Sequence, residues 1–370
     1  MTAPEVEGRV DDPRPPEGRP VLDGTLLWLC AIPSPIGEER ALCDAVQARL
    51  ARPCRRYGDS IVVPITRGTG GPKVALVGHL DTVRTENGPA RLEGDRCFGA
   101  GASDMKSGLA VMIALAETLD LAALRVDLTL VFYAREEGPF ADNELGPVLE
   151  RDPELAGVDL AVCMEPSDNK LHLGCMGSIH ATVTFEGRTA HSARPWEGQN
   201  AITKASSLLA KLSALQPRES LIEGMSYRSV TTVTQARDGG RGRNVVPDRF
   251  VLNINHRFAP DRTLDEAVDE VRAIVGDHAR IDFTDLSPAA PPVASNPLVA
   301  ALAASGVRGT EPKRAWTDVA RFAARGVAAI NFGPGENAQA HQKNESTSLA
   351  LVHEGHGIVV RWLTSLGAGG

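Results

Sequence analysis

Two patterns of apolar residues alternate over residues 22–176. Helical spacing marks "VLDGTLLWLCAI" and "SGLAVMIALAETL", whereas "VALVGHL" and "DLTLVFYA" are short apolar runs typical of buried strands. The second helical segment is small and apolar on all sides, which suits a helix packed against a sheet. This alternation predicts an α/β domain with helices on the faces of a central sheet.

The pattern changes between residues 177 and 286. "SIHATVTFEG" alternates as a half-exposed strand, and "NAITKASSLLAKLSAL" follows as an amphipathic helix. Two more strands, a helix that Thr263 and Glu266 can cap, and a last strand complete the order β-α-β-β-α-β. This order predicts an inserted ferredoxin-like α+β domain at 177–286, after which residues 287–370 return to the α/β pattern.

Composition narrows the class of protein and its partners. A length of 370 residues favours two domains, and a formal charge of −8 gives no support for a nucleic-acid or membrane partner. Residues 1–21 are rich in Pro and charge and lack an apolar core, which predicts a mobile arm and not a signal peptide. No run of 18 apolar residues occurs, and the six cysteines form no CxxC pair. We therefore expect a cytoplasmic protein in a reducing compartment.

Ionisable residues stand at the ends of several predicted strands. His79 and Asp81 lie two positions apart in "VALVGHLDTV", so an extended chain turns both to the same face. They either form only a structural hydrogen bond with each other at the end of a core strand, or they belong to a functional site. Glu136, Glu137 and Glu165 also follow apolar runs, and sites in α/β sheets gather at the carboxyl ends of strands.

The acids predict a cation at that edge of the sheet. Asp104 in "GASDMKSG" and His341 in "GENAQAHQKNES" add to the strand-end residues, although Asp104 alone could merely cap a helix and a lone loop histidine could be incidental. Converging carboxylates repel unless cations neutralise them, so a pair of divalent metal ions is expected. Histidine and carboxylate ligands without cysteine fit catalytic zinc, manganese or cobalt. Adjacent Glu136 and Glu137 diverge in an extended segment, so one can bind metal while the other holds a proton.

Five motifs occur in the order of a known family. "GHLDTV", "GASDMKSG", "REEG", "MEPS" and the late His341 make the chain resemble the co-catalytic zinc aminoacylase and carboxypeptidase family over residues 22–366. The resemblance implies a zinc-peptidase-like catalytic domain, at 22–176 and 287–370, whose central mixed sheet carries helices on both faces. It also implies that the domain at 177–286 is a lid and dimerisation domain.

The resemblance implies roles for the residues of the motifs. Asp104 would bridge two metal ions, and Asp81 would orient an imidazole ligand. Glu136 would be the general base that takes a proton from the bridging water, whose hydroxide attacks the amide carbonyl, and passes it to the leaving amine. The Asp104–Met105 peptide bond would be cis. The full ligand set, with zinc as the expected ion, would be His79, Asp104, Glu137, Glu165 and His341.

Further residues are implied to contact the substrate. His191 in "TAHSA" would stabilise the oxyanion, and in the family this histidine comes from the partner subunit of a homodimer. The substrate contacts would be Asn244, Arg257 and Thr317, of which the guanidinium suits a carboxylate. Cys175 and Met176 stand where some relatives carry an arginine.

Within the family, "TAHSARPWEGQNAI", "GRNVVPDRFVLNINHRFAPDR" and "WTDVARF" resemble enzymes that hydrolyse N-succinyl-L,L-2,6-diaminopimelate, a lysine and cell-wall precursor. The expected activity is thus hydrolysis of a small N-acyl amino acid at a linear amide bond. Three alternatives stay open at this point. They are deacetylation of acetylornithine or another N-acyl amino acid, peptide hydrolysis, and a catalytically silent binding protein that kept the fold.

Overall fold

The computed structural model describes residues 20–240 and 242–366. Most of the arm predicted at residues 1–21 lies outside this range, and Val21 already belongs to the first helix. The chain forms two compact units. The first unit runs to Gly174 and resumes as Pro292–Glu311 and from Arg321 onward, and the second comprises Cys175–Pro291 and Pro312–Ala320.

The described residues contain both helices and strands in each unit. The helices are α1 (Val21–Ala31), α2 (Arg40–Leu50), α3 (Lys106–Thr118), α4 (Leu145–Arg151), α5 (Ala201–Lys204), α6 (Ser206–Ala214), α7 (Leu264–Val275), α8 (Pro297–Ala303), α9 (Val319–Ala323) and α10 (Leu349–Ser365). The strands are β1 (Arg55–Tyr57), β2 (Ser60–Pro64), β3 (Lys73–His79), β4 (Arg91–Glu93), β5 (Arg96–Phe98), β6 (Asp127–Tyr133), β7 (Leu160–Cys163), β8 (Leu171–Leu173), β9 (Gly177–Glu186), β10 (Arg218–Ile222), β11 (Met225–Asp238), β12 (Arg249–Phe258), β13 (Arg280–Ser287), β14 (Thr310–Pro312), β15 (Ala329–Asn331) and β16 (Ser346–Ser348). In the described ranges, no helix has the length and apolarity needed to cross a bilayer.

The first unit is built on a mixed eight-stranded sheet, which confirms the predicted fold class. Its strand order is β1-β2-β6-β3-β7-β15-β8-β14. β3 pairs in parallel with both β6 and β7, whereas β2 runs antiparallel to β6. The central strand β3 is buried from Val74 to His79 because its apolar side chains face packed layers on both sides.

Helix α3 lies very close to the central strands. A Cβ atom added at Gly78 of β3 would stand 2.5 Å from Leu109 of α3, and one at Gly108 would stand 2.4 Å from the Met164 carbonyl oxygen. Only glycine permits backbones and side chains to approach so closely. This packing brings the loop that precedes α3 to the carboxyl ends of β3 and β7.

The second unit contains a five-stranded antiparallel sheet in the order β10-β11-β12-β9-β13. Four of its strands and the helices between them follow the predicted β-α-β-β-α-β order, and β10 is an additional edge strand. The helix predicted in "NAITKASSLLAKLSAL" is divided at Ala205 into α5 and α6.

The cap predicted at Thr263 and Glu266 is present at the start of α7. The Thr263 hydroxyl accepts a hydrogen bond from the Glu266 N–H, and the Glu266 carboxylate accepts one from the Thr263 N–H. This reciprocal pair satisfies two N–H groups that the first turn of α7 cannot pair internally.

Candidate active site

Three parallel strands deliver acids and an imidazole to one edge of the large sheet. His79 is the last residue of β3 and lies opposite Tyr133, the last residue of β6. Glu136 and Glu137 follow β6, and Glu165 follows β7, which also pairs with β3. Because adjacent parallel strands end at the same edge, residues distant in sequence come together there.

Seven predicted site residues of the first unit meet at this edge. His79 Nε2 lies 3.2 Å from Asp104 Oδ1 and 4.0 Å from Glu165 Oε1. His341 Nε2 lies 2.9 Å from Glu137 Oε1 and 3.6 Å from Asp104 Oδ2. The seven are His79, Asp81, Asp104, Glu136, Glu137, Glu165 and His341.

These residues form groups that can hold divalent metal ions. The ligand atoms of His79, Asp104 and Glu165 all lie within 4.8 Å of one another, as do those of Asp104, Glu137 and His341. Asp104 belongs to both groups, and each of its carboxylate oxygens faces a different histidine. Imidazole nitrogen and carboxylate oxygen are the donors that catalytic zinc, cobalt and manganese accept. The donor set therefore fits two neighbouring metal ions that share Asp104.

The electrostatics of the cluster favour a positive charge. Burial lowers the pKa of His79, but the hydrogen bonds to Asp104 and Asp81 outweigh it and the pKa is raised well above its usual value. The hydrogen bond to Glu137 raises the pKa of His341 to about 9, against the effect of burial. The carboxylates that favour a positive charge on these imidazoles would also favour a bound divalent cation, which takes the neutral ring as its ligand.

Asp81 contacts the backbone of other site residues as well as the imidazole of His79. His79 Nδ1 donates to the Asp81 carbonyl oxygen at 3.0 Å, which leaves Nε2 as the ring atom available for a metal. The Asp81 carboxylate lies 3.5 Å from Nδ1 and accepts the N–H groups of Glu136 at 3.0 Å and Glu137 at 2.8 Å. Its side chain therefore holds the backbone of the two glutamates as well as the imidazole.

The loop before α3 presents Asp104 directly to the site. The Asp104–Met105 peptide bond is cis, as the family resemblance predicts. Met105 occupies the N-cap position of α3, and no side chain caps this helix. The alternative in which Asp104 merely caps the helix is therefore wrong. Ser103 instead donates its hydroxyl to the Glu336 carbonyl oxygen.

Glu345 also belongs to this region, and it is not among the residues that the sequence analysis selects. It is buried, and its carboxylate accepts hydrogen bonds from the N–H groups of Gly101, Ser103 and Asp104. Burial raises the pKa of Glu345 to about 7, and the three N–H groups act in the opposite direction. Its position in "QKNES", shortly after His341, is the one signal that the sequence offers.

Two predicted residues of the second unit, His191 and Asn244, lie on adjacent backbone segments. His191 forms a β-bridge with Val245, and the Ser192 N–H donates to the Asn244 carbonyl oxygen at 2.9 Å. The Ala193 N–H donates to His191 Nδ1 at 3.0 Å. Because Nδ1 accepts, a neutral His191 carries its proton on Nε2 and offers a hydrogen-bond donor there.

The other two predicted residues of the second unit, Arg257 and Thr317, lie near Cys175. Cys175 Sγ donates to the Thr317 carbonyl oxygen at 3.6 Å, while the Thr317 hydroxyl is buried and has no hydrogen-bond partner among the described residues. Arg257 donates its Nε–H to Asn255 Oδ1 at 3.0 Å. Burial lowers the pKa of Arg257, and the negative charge of Asp285 opposes this effect.

Comparison with known proteins gives relatives of nearly the same length. The chain is 37% identical over 341 residues to a Mycobacterium tuberculosis protein provisionally named succinyl-diaminopimelate desuccinylase, covering 90% of this chain and 96% of the relative. It is 34% identical over 349 residues to the succinyl-diaminopimelate desuccinylase of Corynebacterium glutamicum, covering 91% and 94%.

Solved structures and a family profile agree on the fold and the family. The structure of an M20 family metallo-carboxypeptidase from Sulfolobus solfataricus superposes with a TM-score of 0.78, covers 95% of this chain and all of its own, and is 16% identical, so it shows the fold alone. The profile of peptidase family M20/M25/M40 matches residues 75–365. The chain therefore belongs to the peptidase family M20/M25/M40.

Proposed function

We propose that this chain is a metal-dependent amidohydrolase that cleaves N-succinyl-L,L-2,6-diaminopimelate to succinate and L,L-2,6-diaminopimelate. The observation that carries the chemistry is the shared carboxylate of Asp104, whose two oxygens face His79 and His341 in separate ligand groups. The observation that supports the substrate is the similarity, over nine-tenths of the chain, to proteins that bear this enzyme's name.

The metal ions would be held by five residues of the first unit. We propose zinc, with cobalt or manganese able to replace it, because the ligands are imidazole and carboxylate groups. Bound divalent ions supply a Lewis acid for the amide carbonyl and lower the pKa of water near the site. One ion would bind His79, Asp104 and Glu165, and the other would bind Asp104, Glu137 and His341.

Glu136 is proposed as the general base. A ligand atom of its carboxylate lies within 4.8 Å of those of His79 and Glu137, so it borders the same centre. The Asp81 carboxylate fixes its backbone N–H at 3.0 Å. Glu136 takes a proton from the attacking water and delivers it to the leaving amine nitrogen, which completes the exchange of the C–N bond for a C–O bond.

Residues of the second unit are proposed to bind the acyl amino acid. Arg257 suits a substrate carboxylate, and the described residues offer its guanidinium no ion pair within 4.0 Å. The buried Thr317 hydroxyl and Asn244 would add hydrogen bonds. The Nε2–H of His191 would donate to the carbonyl oxygen as it gains negative charge.

The substrate is tested by comparing kcat/KM for N-succinyl-L,L-2,6-diaminopimelate, N-acetylornithine and simple dipeptides on the zinc-loaded protein. We expect the succinyl substrate to be preferred by at least about 100-fold, since a site built to pair a carboxylate rejects an analogue that lacks it. A preference for N-acetylornithine or a dipeptide would keep the metal site and overturn the proposed substrate.

We also propose that the chain acts as a homodimer in which His191 serves the partner's site. Two inactive variants, His191→Ala and Glu136→Gln, can be mixed and allowed to exchange subunits. If His191 acts across subunits, each mixed dimer contains one complete site. It should then show up to about half of the activity of a wild-type dimer. No recovery despite verified exchange would place His191 in its own subunit's site.

A further inference from the structure

We propose that Glu345 is a positioning residue of the active site, whose carboxylate fixes the loop that presents Asp104. The inference rests on the proposed metal-dependent function and concerns a residue with no assigned role in it. Glu345 binds backbone groups and is not a member of either shared-aspartate ligand group.

The contacts of Glu345 leave little freedom to the loop. One carboxylate oxygen accepts the N–H groups of Ser103 and Asp104, both at 2.8 Å, and the other accepts the Gly101 N–H at 2.9 Å. The side chain is almost fully buried, so water does not compete for these bonds. A carboxylate oxygen can accept more than one hydrogen bond, so a single side chain pairs all three donors.

The loop needs such an external acceptor because it has no regular structure of its own. It connects β5, which ends at Phe98, with α3, which begins at Lys106 and lacks a side-chain cap. Buried N–H groups outside helices and sheets must find other partners. The carboxylate provides one partner for three of them.

Glu345 is itself fixed from two directions. Its N–H donates to Asn87 Oδ1 at 2.8 Å, and its carbonyl oxygen accepts the Gly99 N–H at 3.0 Å. The next residues form β16, which pairs antiparallel with β5. The backbone that bears the carboxylate is therefore held in place by hydrogen bonds on both sides.

This contact joins two of the three segments that carry the ligand group of Asp104, Glu137 and His341. His341 lies four positions before Glu345, and Asp104 lies 241 positions away along the chain. His341 adopts a left-handed backbone conformation with φ 62°, which the surrounding structure must impose. By holding the Asp104 N–H, Glu345 sets the separation of these segments, and displacement of Asp104 would disturb both ligand groups at once.

The test measures cobalt binding by metal-free protein as well as catalysis. In Glu345→Gln the amide NH2 faces N–H donors, so at least one hydrogen bond becomes a repulsive contact. We expect Co²⁺ affinity to fall about 10- to 100-fold, the visible Co²⁺ absorption to change in position or intensity, and kcat to fall by a similar factor with little change in KM. Glu345→Asp, which keeps the charge on a shorter side chain, should recover part of each loss.

The matched control is Glu354→Gln, which removes a carboxylate that pairs with Arg308 on the surface of α10. It should leave Co²⁺ affinity, the spectrum and kcat unchanged. If Glu345→Gln does not fold, Asn87→Ala removes the acceptor of the Glu345 N–H and should produce a smaller loss of Co²⁺ affinity.

Folded Glu345→Gln protein with wild-type Co²⁺ affinity, spectrum and kcat would overturn the inference. In the Asn87→Ala experiment, unchanged Co²⁺ affinity and spectrum would do the same. Failure of the wild-type protein to bind Co²⁺ or to hydrolyse any N-acyl amino acid would instead overturn the proposed function, so the two failures are distinguishable.

Discussion

Replacement of Asp81 by asparagine tests how the structure orients Glu136, the proposed general base. The Asp81 carboxylate accepts one N–H group on each oxygen, from Glu136 at 3.0 Å and from Glu137 at 2.8 Å. Asparagine has the same shape, but its NH2 group cannot accept a hydrogen bond. Asp81→Asn therefore keeps one of these two contacts and turns the other into a repulsion between donors.

The magnitude follows from the contact that is lost. A hydrogen bond to a charged group contributes about 1.5–3 kcal/mol, and the residue is buried, so water does not replace it. If that free energy is needed to hold Glu136 in the transition state, kcat falls by roughly 10- to 150-fold, since about 1.4 kcal/mol corresponds to a factor of ten. Asp81→Ala removes both contacts and should reduce kcat further.

The assay is steady-state hydrolysis of the N-succinyl substrate together with the metal content of each protein. Asp152→Asn is the matched control, because Asp152 is equally buried but pairs with Arg55 at 2.6 Å in a part of the sheet that carries no site residue. That variant should lose stability and keep its kcat. Asp81→Asn protein with full metal content and a kcat within twofold of wild type would refute the reasoning.

Three further predictions concern stability and can be checked by denaturant unfolding. Thr263→Ala removes the reciprocal cap of α7 and should cost about 1 kcal/mol. Ala51→Gly should raise the free energy of unfolding by up to about 1 kcal/mol, because Ala51 ends α2 with φ 47° and glycine adopts this conformation without strain. Burial lowers the pKa of His256, against the charge of Glu270, so the folded state binds fewer protons than the unfolded state. The difference in free energy of unfolding between wild type and His256→Gln should therefore favour wild type most above about pH 6.5 and shrink as the pH falls towards 5. A difference that does not change with pH would refute this assignment.

The position of the site could be predicted from the sequence because several of its residues directly follow apolar runs that are typical of buried strands. His79 and Glu165 follow runs of buried residues, and the carboxyl ends of parallel strands meet in space whatever their separation along the chain. The roles of individual ligands came from family resemblance and not from periodicity. The structure places the residues of both ligand groups together.

Contacts between loops could not be predicted in the same way. Spacing puts Asp81 on the same face as His79, but the N–H groups that its carboxylate accepts lie 55 and 56 positions away. Glu345 resembles any solvated residue of a polar loop until its distant partners are known. The sequence does not predict the edge strand β10, because its side chains are mostly polar or part-exposed and its pairing with β11 depends on a tight turn.

The most direct test of the proposed function is a zinc titration of metal-free wild-type and Glu136→Gln proteins, in which bound metal and released succinate are measured together. Both proteins should bind zinc equally, because Glu136 is not among the five proposed ligands. Wild type should gain activity as zinc binds, and Glu136→Gln should be at least about 100-fold slower, as expected for loss of a general base. Near-normal turnover by zinc-loaded Glu136→Gln, or no zinc-dependent hydrolysis by wild type, would contradict the account.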